Sequence, residues 1–251
     1  MDHAFFEFLS DLARRAIREA LDSGLTVESK DPDGFDPVTE ADRAAERIMR
    51  AAIEKGFPEH GIWGEEYGMV RADAAMRWSL DPVDGTRALV CGLPSWAVLV
   101  GLLDQGRHVA GMIDLPALDE RLAAVDGRTL RNGVPVAVSQ CRTLPDARWS
   151  TTDPYLFDGD EAEAVARVRA AAKVARYGLD ALAYARVATG DLDLVIENKL
   201  QPHDLDALVA VVRGAGGHFG DWEGGTDFTQ GRVIAAASEA LYAEAIALLG
   251  A

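Results

Sequence analysis

Apolar residues recur every three or four positions at Phe5, Phe8, Leu9, Leu12, Ala16, Ile17 and Ala20, and Gly24 follows. That spacing predicts an amphipathic helix closed by a glycine. A second stripe, Ala45, Ile48, Met49 and Ala52, predicts a helix over about 41–53, ended by Gly56 and Pro58. The charged, Gly- and Pro-containing run 28–35 between them predicts a loop. Shorter apolar runs follow. Residues 62–64 and 78–80 predict short strands. Residues 97–103, 108–113 and 121–125 predict a meander, with Asp104-Gln105-Gly106 as one turn. Asn132-Gly133 predicts another, before a strand over 134–138. The pattern then alternates: strand 147–151, helix 160–172, strand 174–177, helix 180–189, strand 192–197. A last helix opens at Pro202 and runs to Val212, with Gly214, Gly216 and Gly217 beyond it, the usual Pro-first, Gly-last asymmetry. This order predicts an α+β part over 1–140 and an α/β part over 141–251, forming one compact unit around a shared cleft.

Composition narrows the functions available. Of 251 residues about half are hydrophobic, enough for a sizeable core, and the formal net charge is −16. Such an excess of acid argues against nonspecific binding to nucleic acid or to anionic membranes. No apolar run reaches membrane-spanning length, and no basic stretch precedes an apolar core near Met1, so a cytoplasmic location is expected. Cys91 and Cys141 are the two cysteines, too few for a disulfide framework. The five histidines are scattered without zinc-type spacing.

Three acidic stretches carry the chemistry. Asp81-Pro82-Val83-Asp84-Gly85-Thr86 sets two carboxylates three residues apart around a stiffening proline, at the end of the strand over 78–80. Both acids can face one side of a turn and share a hard cation. Gly85 and Thr86 offer backbone N–H groups, and a helix starting there would direct its positive end at an anion. Glu65-Glu66 ends the strand over 62–64. Asp204 and Asp206 open the last helix, where they also read as capping residues. Metal beside an anion cradle points to phosphate-ester chemistry. An acidic protein repels phosphate, and bound cations would invert the sign locally.

In order and spacing, these stretches resemble the inositol monophosphatase superfamily of magnesium-dependent phosphatases. The resemblance rests on Gly64-Glu65-Glu66, on Asp81 to Thr86, and on Asp204 followed by Ala215-Gly216-Gly217. Val38-Thr39-Glu40-Ala41-Asp42 matches a further Val-Thr-x-x-Asp signature. Within the superfamily the chain is most similar to histidinol-phosphate phosphatases, through Thr151 to Phe157, Tyr177 to Ala185, and Asp193 to Asn198. Asp180 stands where inositol phosphatases carry Arg, and His203 where they carry Trp.

The resemblance implies a layered α-β-α-β-α sandwich and two or three magnesium ions per site. Glu65, Asp81 and the Val83 carbonyl would hold one ion; Asp81, Asp84 and Asp204 a second; a third, weaker ion would share Glu65. Glu65, with Thr86 bonded to Asp42, would orient the attacking water. Gly85 and Thr86 would bind phosphate. Asp180 and Glu197 are the candidates for an amine-bearing substrate, although Asp180 also reads as a helix cap. The loop over 28–35, with Lys30 and Asp31, would close over the cleft. The implied partner is a small phosphate monoester handled by a homodimer: L-histidinol phosphate, or alternatively inositol 1-phosphate or a wider range of sugar and nucleotide phosphates. A non-catalytic metal-stabilised protein is the remaining class, disfavoured by the completeness of the acidic set.

Overall fold

The structure, a computed structural model, describes residues 2–24, 27–29 and 37–250. In chain order it begins with helix α1 (His3–Asp22), the hairpin β1 (Val27–Ser29) and β2 (Pro37–Thr39), and helix α2 (Glu40–Gly56). Strands β3 (Gly61–Gly64), β4 (Gly68–Val70) and β5 (Met76–Asp84), and helix α3 (Thr86–Val90), come next. The meander is β6 (Ala97–Asp104), β7 (Arg107–Leu115), β8 (Glu120–Val125), β9 (Arg128–Arg131) and β10 (Val134–Pro135). The second part holds β11 (Arg148–Thr151), α4 (Asp160–Ala171), β12 (Val174–Tyr177), α5 (Ala181–Ala188), β13 (Leu194–Glu197) and α6 (Pro202–Gly214). It ends with β14 (His218–Gly220), β15 (Val233–Ala236) and α7 (Glu239–Leu249).

Among the described residues, β3 to β10 form one sheet in the order β10-β9-β8-β7-β6-β5-β3-β4, and β11 to β15 form another in the order β12-β11-β13-β15-β14. Strand alternation assigns each face. In β6, Val98, Val100 and Leu102 pack with Phe6, Leu9, Ile17, Met49 and Ile53 of α1 and α2. Ala97 and Leu99, pointing the other way, pack with α5, α6 and the inner face of the smaller sheet. The outer face of that sheet, through Trp149, Leu194 and Ile234, packs on α4 and α7. The layers therefore read α-β-α-β-α, as expected.

Several elements depart from the sequence reading. The strand over 78–80 runs on through the acidic motif to Asp84 rather than ending in a turn at Asp81. Glu28 and Ser29 lie in β1, paired with β2, where a loop was expected; Lys30 and Asp31 lie outside the described residues. The strand expected over 134–138 is confined to β10. Strands β4, β9, β14 and β15 and helix α7 had no counterpart in the sequence reading.

Helix α6 lies between the sheets because two glycines make room for it. Gly101 and Gly111 face each other across β6 and β7. A Cβ on Gly101 would sit 2.7 Å from Asp206 Cβ, and one on Gly111 2.7 Å from the Ala207 carbonyl oxygen. Gly101→Ala should therefore lift the start of α6 off the sheet and destabilise the protein by about 1–3 kcal/mol. Denaturant unfolding of the purified variant checks this; an unchanged midpoint would show that the contact is not tight.

Candidate metal and phosphate site

Asp81 and Asp84 would normally point to opposite faces of a strand, since side chains alternate. One extra residue in β5 changes this: Asp81 pairs with Leu99 but Asp84 with Ala97. The bulge turns Asp84 back to the side of Asp81. Pro82 sits inside it, where a missing N–H costs no ladder bond. The Val83 N–H donates to Asp81 Oδ1 at 3.0 Å, closing a local turn over the bulge.

Asp204 arrives from another layer. It lies in the first turn of α6, where its Oδ2 accepts the Gln201 N–H at 2.7 Å. The capping reading therefore holds for Asp204, whereas Asp206 faces His108 Nε2 instead of capping. Ligand atoms of Asp81, Asp84 and Asp204 all lie within 4.8 Å of one another. With Glu65, Val83, Gly85, Thr86 and Asp180 they line a cavity of about 280 Å³. Arg87, Thr152, Asp153 and Leu156 complete the lining. The sequence reading assigned these four no role, although Arg87 adjoins the motif and the others lie in the stretch that carried the resemblance.

The electrostatics fit cations. Burial, then the charges of Glu65, Asp84 and Asp204, push the Asp81 carboxyl well above the usual carboxylate range. Burial and the charges of Asp180 and Asp204 do the same to Asp84. Hard oxygen donors at this spacing, raised by burial and then by mutual repulsion, suit magnesium, which binds through one or two carboxylates plus waters and substrate phosphate.

The supporting residues are in place. Thr39 caps α2, its backbone N–H and its hydroxyl both donating to buried Asp42. Asp42 in turn faces the Thr86 hydroxyl, with its Oδ1 at 3.3 Å, while the Val83 carbonyl lies 3.0 Å from the same hydroxyl. Gly85 holds φ +80, and a Cβ there would come within 3.0 Å of the Asp180 carboxylate. Asp180 precedes α5 but does not cap it by side chain. The Ala181 N–H donates instead to Asp84 Oδ2 at 2.7 Å. Burial pushes the Asp180 carboxyl up to about 6, against the pull of Arg87. Glu197 is not among the lining residues. It is buried behind them, accepting the Thr152 N–H at 2.7 Å and the Thr151 hydroxyl at 3.3 Å. His203 Nε2 lies 3.4 Å from Asp204 Oδ1.

Two outcomes follow for metal-free protein. Asp84→Asn keeps an oxygen for the Ala181 N–H and removes a repelling charge, so its Tm should rise above wild type while the added stabilisation by magnesium is lost. A Tm below wild type in the absence of metal would contradict the repulsion. Burial pushes Glu197 from 4.5 up to about 8. Between those values the unfolded chain has released a proton that the folded chain keeps, so stability falls as pH rises through that window. Glu197→Gln lacks this slope, and the Tm gap between variant and wild type should widen from about pH 4.5 to about pH 8. Melting curves across that range check it.

Comparison with known proteins agrees with the geometry. Residues 3–250 match the model of the inositol monophosphatase family. A chloroplastic bifunctional phosphatase of Arabidopsis thaliana is 41% identical over 219 residues, 86% of this chain and 63% of its own. The chain thus spans under two thirds of that relative's length. A histidinol-phosphatase of Chlorobaculum parvum is 33% identical, over 96% of this chain and 94% of its own. A solved inositol monophosphatase from Zymomonas mobilis superposes with a TM-score of 0.88 at 36% identity, covering 99% of this chain and 97% of that one. The clustered carboxylates and these likenesses together place the chain in the inositol monophosphatase family, as a metal-dependent phosphomonoesterase.

Proposed function

We propose that the protein hydrolyses L-histidinol phosphate to L-histidinol and phosphate, in histidine biosynthesis. The observation that carries the substrate assignment is Asp180, an acid held against Gly85 at the edge of the cavity. Inositol phosphate offers only hydroxyls beyond its phosphate, whereas histidinol phosphate carries an ammonium. An acid there attracts the second and gives the first little. The likeness to a histidinol-phosphatase along nearly the whole chain supports the same choice.

In this reading Glu65, Asp81 and the Val83 carbonyl would hold one magnesium; Asp81, Asp84 and Asp204 would hold a second; a third, weaker ion would share Glu65. Bound magnesium supplies activation of water and neutralises charge on the phosphate and the leaving oxygen. The chain does the rest. Gly85 and Thr86 present N–H groups at the start of α3, ahead of the first bonds within that helix, and receive phosphate oxygens. Glu65 orients the attacking water. Thr86 assists when its hydroxyl donates to Asp42, leaving its lone pairs for that water. Attack is in line, with no covalent enzyme intermediate. Asp180 takes the substrate ammonium, and Glu197 supports that side through its bond to Thr152. The reading also takes the enzyme as a cytoplasmic homodimer.

The test is phosphate release with magnesium from L-histidinol phosphate, inositol 1-phosphate and adenosine 3′,5′-bisphosphate. Histidinol phosphate should lead in kcat/KM. Asp180→Asn should lower its kcat/KM by about tenfold or more, the scale of a lost charged hydrogen bond, and raise that of inositol 1-phosphate. Equal rates, or a lead for inositol 1-phosphate, would keep the metal chemistry and remove the substrate assignment.

A further inference from the structure

Glu46 is a charged side chain with no exposed surface, on the face of α2 that meets the sheet. Its Oε2 accepts the Glu66 N–H at 2.7 Å, and its Oε1 accepts the Tyr67 N–H at 3.1 Å. Arg50, one turn later on the helix, donates to Oε1 through Nε at 2.7 Å. The same guanidinium donates through Nη2 to the Gly68 carbonyl. The ion pair therefore grips the turn between β3 and β4 from both ends. On its near side, the Glu65 N–H donates to the Leu80 carbonyl at 3.1 Å, one residue before Asp81. Gly64 is part of the same device: a Cβ there would come within 2.0 Å of Glu46 Oε1, so only glycine lets the carboxylate reach the turn.

Burying a carboxylate and a guanidinium away from water is expensive, and apolar residues in their place would often be at least as stable. What this pair adds is definition. The Glu66 and Tyr67 N–H groups of the turn are given a fixed acceptor, and the Gly68 carbonyl at the start of β4 a fixed donor. Glu65 sits in that turn.

We infer that Glu46, with Arg50 and Gly64, is a positioning residue that sets the Glu65 carboxylate against Asp81 for cation binding. The inference rests on the proposed role of Glu65 as a metal ligand. Residues that orient ligands in this way commonly account for about 10–100-fold in metal affinity.

The experiment is Mn2+ binding to the metal-stripped protein, read by the electron paramagnetic resonance of free Mn2+, with Tm measured alongside. Four variants are compared: Glu46→Gln, Gly64→Ala, Glu65→Gln and Ile53→Val. Glu46→Gln turns an amide donor toward donors. Gly64→Ala leaves both charges but displaces Glu46 from the turn. Ile53→Val, on the same buried face of α2, lowers stability without touching the turn. Glu46→Gln and Gly64→Ala should each weaken Mn2+ by about tenfold, approaching Glu65→Gln, while Ile53→Val should bind as wild type does. Should Glu46→Gln not fold, Gly64→Ala decides. Wild-type Mn2+ affinity in Glu46→Gln or Gly64→Ala, beside a weakened Glu65→Gln, would overturn the positioning role alone. Wild-type affinity in Glu65→Gln would remove the ligand assignment and the inference with it.

Discussion

Three carboxylates within 4.8 Å of one another, two of them on one bulged strand and the third on a helix from another layer, set the terms for the rest of this fold. Two unit charges 4 Å apart repel by about 4 kcal/mol at an effective dielectric of 20. Burial adds to that, and it is the first cause of the raised Asp81 and Asp84 carboxyls. Cations offset that cost: with them the same oxygens become ligands and the local sign reverses. A protein of net charge −16 can in this way receive phosphate.

Holding repelling groups together requires stiff surroundings, and these run through several layers. Helix α6 is pinned between the sheets. Asp206 faces His108 Nε2 at 2.9 Å, and the Thr129 hydroxyl donates to the Val211 carbonyl at 2.7 Å. Gly101 and Gly111 let its backbone approach β6 and β7. Asp84 joins the larger sheet to α5 through the Ala181 N–H. The metal site and the packing between layers are thus one set of contacts, and a change in the seating of α6 is felt at Asp204.

The acidic stretches were legible because their chemistry is local: residue type and spacing bring out Asp81 with Asp84, Glu65 with Glu66 and Asp204 with Asp206, and the resemblance then singles out Glu65 and Asp204. The long helices and the meander were legible from period. The bulge was not, because register depends on a partner strand that spacing does not reveal. Strand β9 hides because Arg128 to Arg131 lacks an apolar alternation; its buried residue is Thr129, held by a hydrogen bond. Strand β15 is buried on both faces, so Val233 to Ala236 shows no alternation either. Glu46 reads as one more charge on a helix, with Arg50 four residues on as an ordinary surface pair. Only the turn it meets distinguishes it. Glu197 likewise reads as a strand end, and only the fold brings Thr152 to it.

Asp180 shows how a local conflict can indicate function. Its φ of +49 and ψ of −141 suit glycine better than any residue with a Cβ. A helix cap would explain an Asp at this position, but Asp180 does not cap α5, and Asp84 takes the first helical N–H instead. Backbone strain and a costly burial are both accepted at one residue whose carboxylate ends beside Gly85 and opposite Arg87 in the cavity wall. Glycine would relieve the first cost and arginine would complement the phosphate. The acid does neither. It adds negative charge to an already acidic cleft, which penalises any substrate that brings only phosphate and hydroxyls. A substrate that brings its own positive charge would offset that penalty, and in the proposed reading the same group that weakens binding of neutral esters is what would favour an ammonium-bearing one.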